Sequence, residues 1–449
     1  MDGMGTLLLH AEQGVRPLIA LSRALAVPWV PPAVVPANFW RIPEMRVLAV
    51  MAVSTLLALS AAAADWQDIT PGADLAGWKV LGGQWTVKDG VVTGKSAKDE
   101  NCWLMLDGRE LADFEVELEF CTPVPTNGGL QFRSQWLPRV PLKEGETADT
   151  APKQMYGYQA GIETRQLEAS GRLVDENGRG PLAQPDMAVL KASKLKQKDW
   201  NKMRVAVNGP DIEIFLQDQS VVKFTDEAFL KGFLALQAFA FDQKEGAAEV
   251  QYRNIRLKDN GRGGDWRALF NGTSFDGWKA WGSEEWAVEN GVIIGRSGPK
   301  KSEGYLATEE KFKDFRVRGS FKMLGEGNFG LFYHSTITLR DDGYPVIAGL
   351  QGEVAPEYPS PSGWVYESYK RGWLQKPDFN SAAAMVLRRN EWNEIEIRTV
   401  GNKVTTWVNG MRVLDLADEG QQLFEGSFAL QLHTGGVDGI QWKDLYVLK

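Results

Sequence analysis

The sequence predicts an all-β protein made of two jelly-roll β-sandwich domains in tandem, and three observations predict it. The segment Phe315 to Met323, FRVRGSFKM, alternates apolar and polar residues, the period-two pattern of a strand with one face buried and one wet. An earlier segment, Phe114 to Cys121, repeats the pattern as FEVELEFC. Each copy follows an Asp (Asp113, Asp314) and precedes Asn and Gly (Asn127 and Gly128, Asn328 and Gly330). Seventeen Trp and 47 Gly among 449 residues, with few long helical patterns, favour short strands joined by tight turns. The chain therefore reads as a tandem duplication. At 43% hydrophobic and 24% charged it has the composition of a globular protein with more than one core. Its net charge of −8 argues against nucleic acid and anionic membranes as partners, because both are held by basic contacts.

Taken in order, Met45-Arg46 opens a run that stays apolar to Ala64, where Ala62-x-Ala64 precedes Asp65. A basic start, a short apolar stretch and a small-residue end are the marks of a signal peptide, here 45–64. Residues 1–44 are a Pro-rich, unstructured extension, and Met45 is an alternative start. No other stretch is long and apolar enough to span a bilayer. The expectation is a secreted or periplasmic chain with no membrane span once the signal is removed.

Trp66 and Trp266, and likewise Trp78 and Trp278, lie 200 positions apart; Trp85 with Trp286 and Gly90 with Gly291 lie 201 apart. Further on the offset becomes 192, aligning Gly157, Gly171, Arg179 and Trp200 with Gly349, Gly363, Arg371 and Trp392. This divides the mature chain into 65–258, a linker 259–264 and 265–449. In the first half Cys102 and Cys121 flank what reads as a hairpin, in a register that sets 104 opposite 119. Such a pair can form a disulfide in an oxidising compartment; two free buried thiols is the other reading, and both stay open. Two Cys without clustered His do not make a structural zinc site.

Each half closes with three strand patterns. WVNGMRV carries Asn409-Gly410 between apolar residues, the strongest short signal for a two-residue hairpin. GSFALQL and GIQWKDLYVL then match GFLALQA and VQYRNIRL of the first half. Roughly ten strands per half fit two packed antiparallel sheets. Helix-compatible pieces are short, such as Thr225 to Leu230.

LFNGTSFDGW, WAVENGVIIG, DFRV, NFG, a G-x-Q strand, an SG turn, EWN, WVNG and a late LQxH follow one another in the second half, and both halves carry the pattern. Together they make the chain similar to the 3-keto-disaccharide hydrolase domain family over nearly all of 66–449. The resemblance implies a secreted, concanavalin-like jelly roll that cleaves glycosides whose sugar has been oxidised to a ketone at carbon 3. A 3-keto group acidifies the proton at carbon 2, so a base removes it, the enolate expels the substituent at carbon 1, and water adds. Such a site needs a general base, a group that stabilises the enolate, and an acid for the leaving oxygen.

In GLQGEV, Gln351 and Glu353 are two apart and share a strand face. Glu353 is the candidate base and Gln351 a substrate ligand, with an exposed strand carboxylate as the plain alternative. The first half offers Gln159 and Glu163 on the corresponding strand. Arg371 and Arg179 stand at matched positions before Gly, where a guanidinium can brace an enolate or a sugar hydroxyl; a loop ion pair is the alternative. Of the mature chain's two histidines, His433 matches the family's His, where the first half has Phe239. His334 stands where the family, and the first half at Arg133, carry Arg. Whether a divalent metal joins the imidazoles is left open. Trp364, Tyr366, Tyr369 and Trp373 are aromatics that stack on sugar faces. The reading is a carbohydrate-acting enzyme with its second half active. The rival is a non-catalytic pair of carbohydrate-binding or laminin-G-like modules, and oligomeric state is not legible.

Overall fold

The structure, a computed structural model, describes residues 65–96, 100–124, 126–163, 169–239 and 248–449. The predicted extension and signal peptide lie outside the described residues. Four antiparallel sheets form two β-sandwiches. In the first, an eight-stranded sheet is centred on Asp113–Cys121, flanked by Asn201–Asn208 and Ala248–Gly261. Facing it is a seven-stranded sheet with the order Gly180–Ala183, Leu173–Glu176, Lys153–Glu163, Asn127–Pro138, Phe233–Phe239, Asn101–Leu106, Trp78–Leu81. The second sandwich repeats this plan. Phe315–Met323 lies between Asn393–Val400 and Ile440–Leu448. The seven-stranded sheet runs Trp278–Gly282, Gly304–Thr308, Ser427–Leu432, Phe329–Leu339, Pro345–Val354, Val365–Glu367, Gly372–Trp373.

The alternation seen in the sequence is what closes each sandwich. Phe315, Val317, Phe321 and Met323 point inward against Leu331, Tyr333, Leu350, Val354, Leu430 and Leu432. The residues between those on the seven-stranded sheet are thereby turned to its outer face. On that face a second, smaller apolar floor forms from Tyr305, Ala307, Phe332, Ile347 and Ala429, and in the first sandwich from Leu81, Trp103, Met105, Met155 and Ala235.

Several expectations change. Cys102 and Cys121 do not flank a hairpin: the strand Asn101–Leu106 pairs with Phe233–Phe239 and Trp78–Leu81, whereas Asp113–Cys121 lies in the opposite sheet. The chain crosses the sandwich between them, and both cysteines are free, buried thiols. Thr225 ends a strand and no helix follows it. Among the described residues of the first sandwich the α-helix is Met187–Ser193, capped by Asp186, whose Oδ1 accepts from the amides of Ala188 and Val189.

The segment expected as a linker is built into the fold. The strand Ala248–Gly261 runs through it, pairing Asp259 with Phe114 and Gly261 with Asp113. Arg262 then donates to Glu394 (2.6 Å) and to Glu396 of the second sandwich. The Asn409-Gly410 turn joins Lys403–Val408 to Met411–Ala417 with both residues at positive φ, 49° and 79°. It is seated on the first sandwich, where the Leu230 amide donates to the Gly410 carbonyl at 2.7 Å and Gln135 Nε2 to the Asn409 carbonyl at 2.8 Å. Met385, Val386, Val408 and Met411 join the first sandwich's apolar core. No helix among the described residues is long and apolar enough to cross a membrane.

Candidate functional site

The outer face of the second sandwich's seven-stranded sheet holds a cavity of about 360 Å³. Strand alternation builds it. In Pro345–Val354 the core takes Leu350 and Val354, which leaves Gln351 and Glu353 facing out, and Ser427–Leu432 presents Gln431 in the same way. Gly330, on the strand between them, lets Gln351 lie flat across the sheet: a Cβ there would meet the Gln351 amide at 2.4 Å. Gln351 Nε2 then donates to Gln431 Oε1 (2.8 Å), Glu353 Oε2 (3.1 Å) and the Phe329 carbonyl (3.1 Å). Asn328 Nδ2 donates to the other Glu353 oxygen.

Glu353 is 5% exposed. Burial raises its pKa to about 7, and the hydrogen bond from Asn328 only partly offsets this. The cavity's second carboxylate is Glu303. It accepts from the Tyr305 hydroxyl and lies 3.7 Å from His433 Nε2. His433 Nδ1 is 3.1 Å from the Thr434 carbonyl, an acceptor that requires a proton on Nδ1. Tyr366, Ser368, Tyr369 and Trp373 form the remaining wall. Tyr366 pairs across the strands with Gln351 and meets Trp373 edge to face at 5.2 Å.

Of the residues the sequence singled out in the second half, the structure brings together Gln351, Glu353, Tyr366, Tyr369, Trp373 and His433. Arg371 is not among them: its Nε donates to Glu367 and its two terminal nitrogens to Asp418 at 2.6 and 2.8 Å. Arg179 does the same with Asp175 and Asp226, so the matched arginines brace a turn in both sandwiches. His334 is 1% exposed, its Nε2 on the Lys313 carbonyl at 2.6 Å and its Nδ1 3.2 Å from Gln421; burial lowers its pKa. Arg133 stands at the equivalent bulge, with φ 46° against 47° for His334, and donates to the Ala112 carbonyl and to Asp113. Both residues tie a strand to the chain before the central strand. Trp364 is buried away from the cavity.

Sequence reasoning passed over Glu303, Asn328, Ser368 and Gln431. Glu303 immediately precedes the strand Gly304–Thr308, and no motif marks it in the sequence. Among the described residues no group of three or more His, Cys, Asp or Glu side chains is arranged to hold a metal ion.

The same face of the first sandwich is arranged differently: its partly buried carboxylate is Glu176, at the position of Ser368, with its pKa raised to about 7 by burial and its Oε2 3.5 Å from Gln159 Nε2. Gly129 pairs with Gly161, whereas Gly330 pairs with Glu353. Asn101 faces Phe239, where the second sandwich brings Glu303 to His433. Val174 pairs with Gln159, where Tyr366 pairs with Gln351. Gln159 is kept, with Nε2 3.1 Å from Gln131 Oε1. Glu163 sits one strand pair further along and accepts from Asn127 at 3.4 Å.

Residues 65–258 and 265–448 match the model of a family described as the 3-keto-alpha-glucoside-1,2-lyase-like domain. A curated relative, the 3-keto-disaccharide hydrolase of Bacteroides thetaiotaomicron, is 29% identical over 132 residues. That match spans 27% of this chain and 44% of the relative, less than half of the relative's length. Among solved structures, the carbohydrate-binding module CBM66 of Bacillus subtilis covers 41% of this chain and 96% of its own, at 18% identity and a TM-score of 0.30. A Bacillus subtilis protein with a galectin-like fold covers 44% of this chain and 96% of its own, at 14% identity and a TM-score of 0.33.

Proposed function

The chain belongs to the 3-keto-alpha-glucoside-1,2-lyase-like domain family, and on that premise we propose that its second sandwich cleaves 3-keto-glycosides by elimination followed by hydration. One observation carries the reading: a single cavity holds two carboxylates in different settings, Glu353 buried with its pKa near 7 and Glu303 lying 3.7 Å from His433 Nε2. A base that is half ionised near neutral pH is suited to take the acidified proton at carbon 2. Protonated, the Glu303 and His433 pair gives its proton to the oxygen leaving carbon 1 and takes one back from the water that adds to carbon 1 of the resulting double bond, while Glu353 returns its proton to carbon 2. Hydroxyls of Tyr366 and Ser368 face the enolate oxygen, and the Trp373 and Tyr366 rings support the sugar face. Arg371, committed to Glu367 and Asp418, has no part in these steps.

The test offers purified mature chain a 3-keto-glucoside and the unoxidised glucoside, and follows aglycone release. Turnover of the keto sugar alone, abolished by Glu353→Gln in a protein that remains folded, supports the reading. Equal turnover of both sugars, or an active Glu353→Gln, sinks it. The rival reading of non-catalytic carbohydrate-binding modules fits the first sandwich, where Gly161, Asn101 and Phe239 replace the reacting groups.

A further inference from the structure

The first sandwich carries a cavity of about 410 Å³ on the outer face of its seven-stranded sheet. Trp103 forms part of it, 3% exposed, with an indole N–H that has no partner among the described residues. Trp136, half-buried on the neighbouring rim, meets Trp103 edge to face at 5.6 Å. Asn101 and Asn177 supply amides, held by Gln237 (3.0 Å) and by the Met155 carbonyl (2.9 Å). Lys153 is the one charged side chain among its described lining residues.

The cavity does not continue alone. Trp136 and Lys153 also line a second cavity of about 370 Å³, whose far wall includes Tyr358, Arg388, Arg389 and Glu391 of the second sandwich; Arg388 is paired with Glu110 and Arg389 with Asp149, which also lines it. The two make a groove with a tryptophan at its middle. At the same registers the second sandwich has Ile337 where Trp136 stands and Ile347 where Met155 stands. The groove is therefore particular to the first half and separate from the cavity around Glu353.

We propose that this groove binds a neutral oligosaccharide of several units, one ring resting on Trp136 and its hydroxyls meeting the amides of Asn101 and Asn177. Flat indoles with amide donors and acceptors suit the alternating apolar and polar faces of an uncharged sugar. Two cavities in series exceed what one ring fills. That the ligand is a carbohydrate rests on the family reading; the groove itself does not.

The experiment titrates the mature chain carrying Glu353→Gln, which blocks the other cavity's chemistry, with cellopentaose, maltopentaose and laminaripentaose by calorimetry and tryptophan fluorescence. At least one pentasaccharide binds, and Trp136→Ala weakens it about tenfold or more. Asn177→Asp, which keeps size and places a carboxylate in the groove, weakens it as well. On a wild-type background Trp136→Ala leaves kcat on a small 3-keto-glucoside unchanged, which also reports that the chain is folded. No binding of any of the three, or unaltered binding in both variants, overturns the inference. Pentasaccharide binding that depends on Trp136 in a chain without keto-glycoside turnover upholds it while rejecting the lyase reading.

Discussion

Glu353 is costly to keep and useful for that reason. Its pKa in the folded chain is about 7 against an ordinary 4.5, so the native state holds this proton more tightly than the unfolded chain does. Its contribution to stability is complete below pH 4.5 and is lost as pH rises through about 7. Glu353→Gln is therefore expected to raise the melting temperature at pH 8 relative to pH 5, with up to about 3 kcal/mol at stake, in the same variant that loses turnover. Thermal unfolding at the two pH values checks it; equal effects at both refute the assignment. On the proposed lyase reading, kcat/KM of the unmutated chain is expected to rise with pH through about 7. Asn328→Ala, which removes the donor to the carboxylate, is expected to move that limb to higher pH. His433→Ala should cost about 10² to 10⁴ in rate, measured at saturating substrate.

Elements show what the sequence displays and what it conceals. Central strands were legible because Phe315 to Met323 alternates without a break, and the same alternation put Gln351 and Glu353 on one face. The sheet to which a strand belongs was not legible: Cys102 and Cys121 lie in successive strands, yet those strands are in opposite sheets, and no local pattern distinguishes a crossing from a hairpin. Arg371 illustrates another limit. Its recurrence at Arg179 left a chemical role and a loop ion pair both open; Asp418 and Asp226 recur with it, and that partnership, which decides for the ion pair, spans 47 positions. Arg371→Ala is expected to cost about 1–2 kcal/mol, after allowance for its partial exposure, and to leave KM and kcat unchanged. A steady-state assay beside a urea titration distinguishes this from a catalytic role, which would lower kcat at unchanged stability.

On the scale of the whole molecule, the two sandwiches share buried charge and apolar core. Arg262 reaches Glu394 and Glu396, Arg398 pairs with Glu227, and Trp407 Nε1 donates to the Glu227 carbonyl at 2.7 Å. Glu394 is buried, and Arg262 holds its carboxyl down at about 2. The expected unfolding is one calorimetric transition for both halves. Arg262→Ala, by stripping a partner from two buried carboxylates, is expected to cost about 3 kcal/mol and to separate the transition into two. Two transitions in the native chain would show that the halves fold independently.

Gly410 marks this union in a way that natural variation would record. Its φ of 79° alone tolerates asparagine as well as glycine, so a sandwich standing by itself is free to drift at this position. Here a Cβ would also lie 2.6 Å from the Lys231 backbone, and nothing but glycine fits. Among relatives, lineages with both sandwiches should therefore hold glycine at this turn, and lineages with one should have relaxed it.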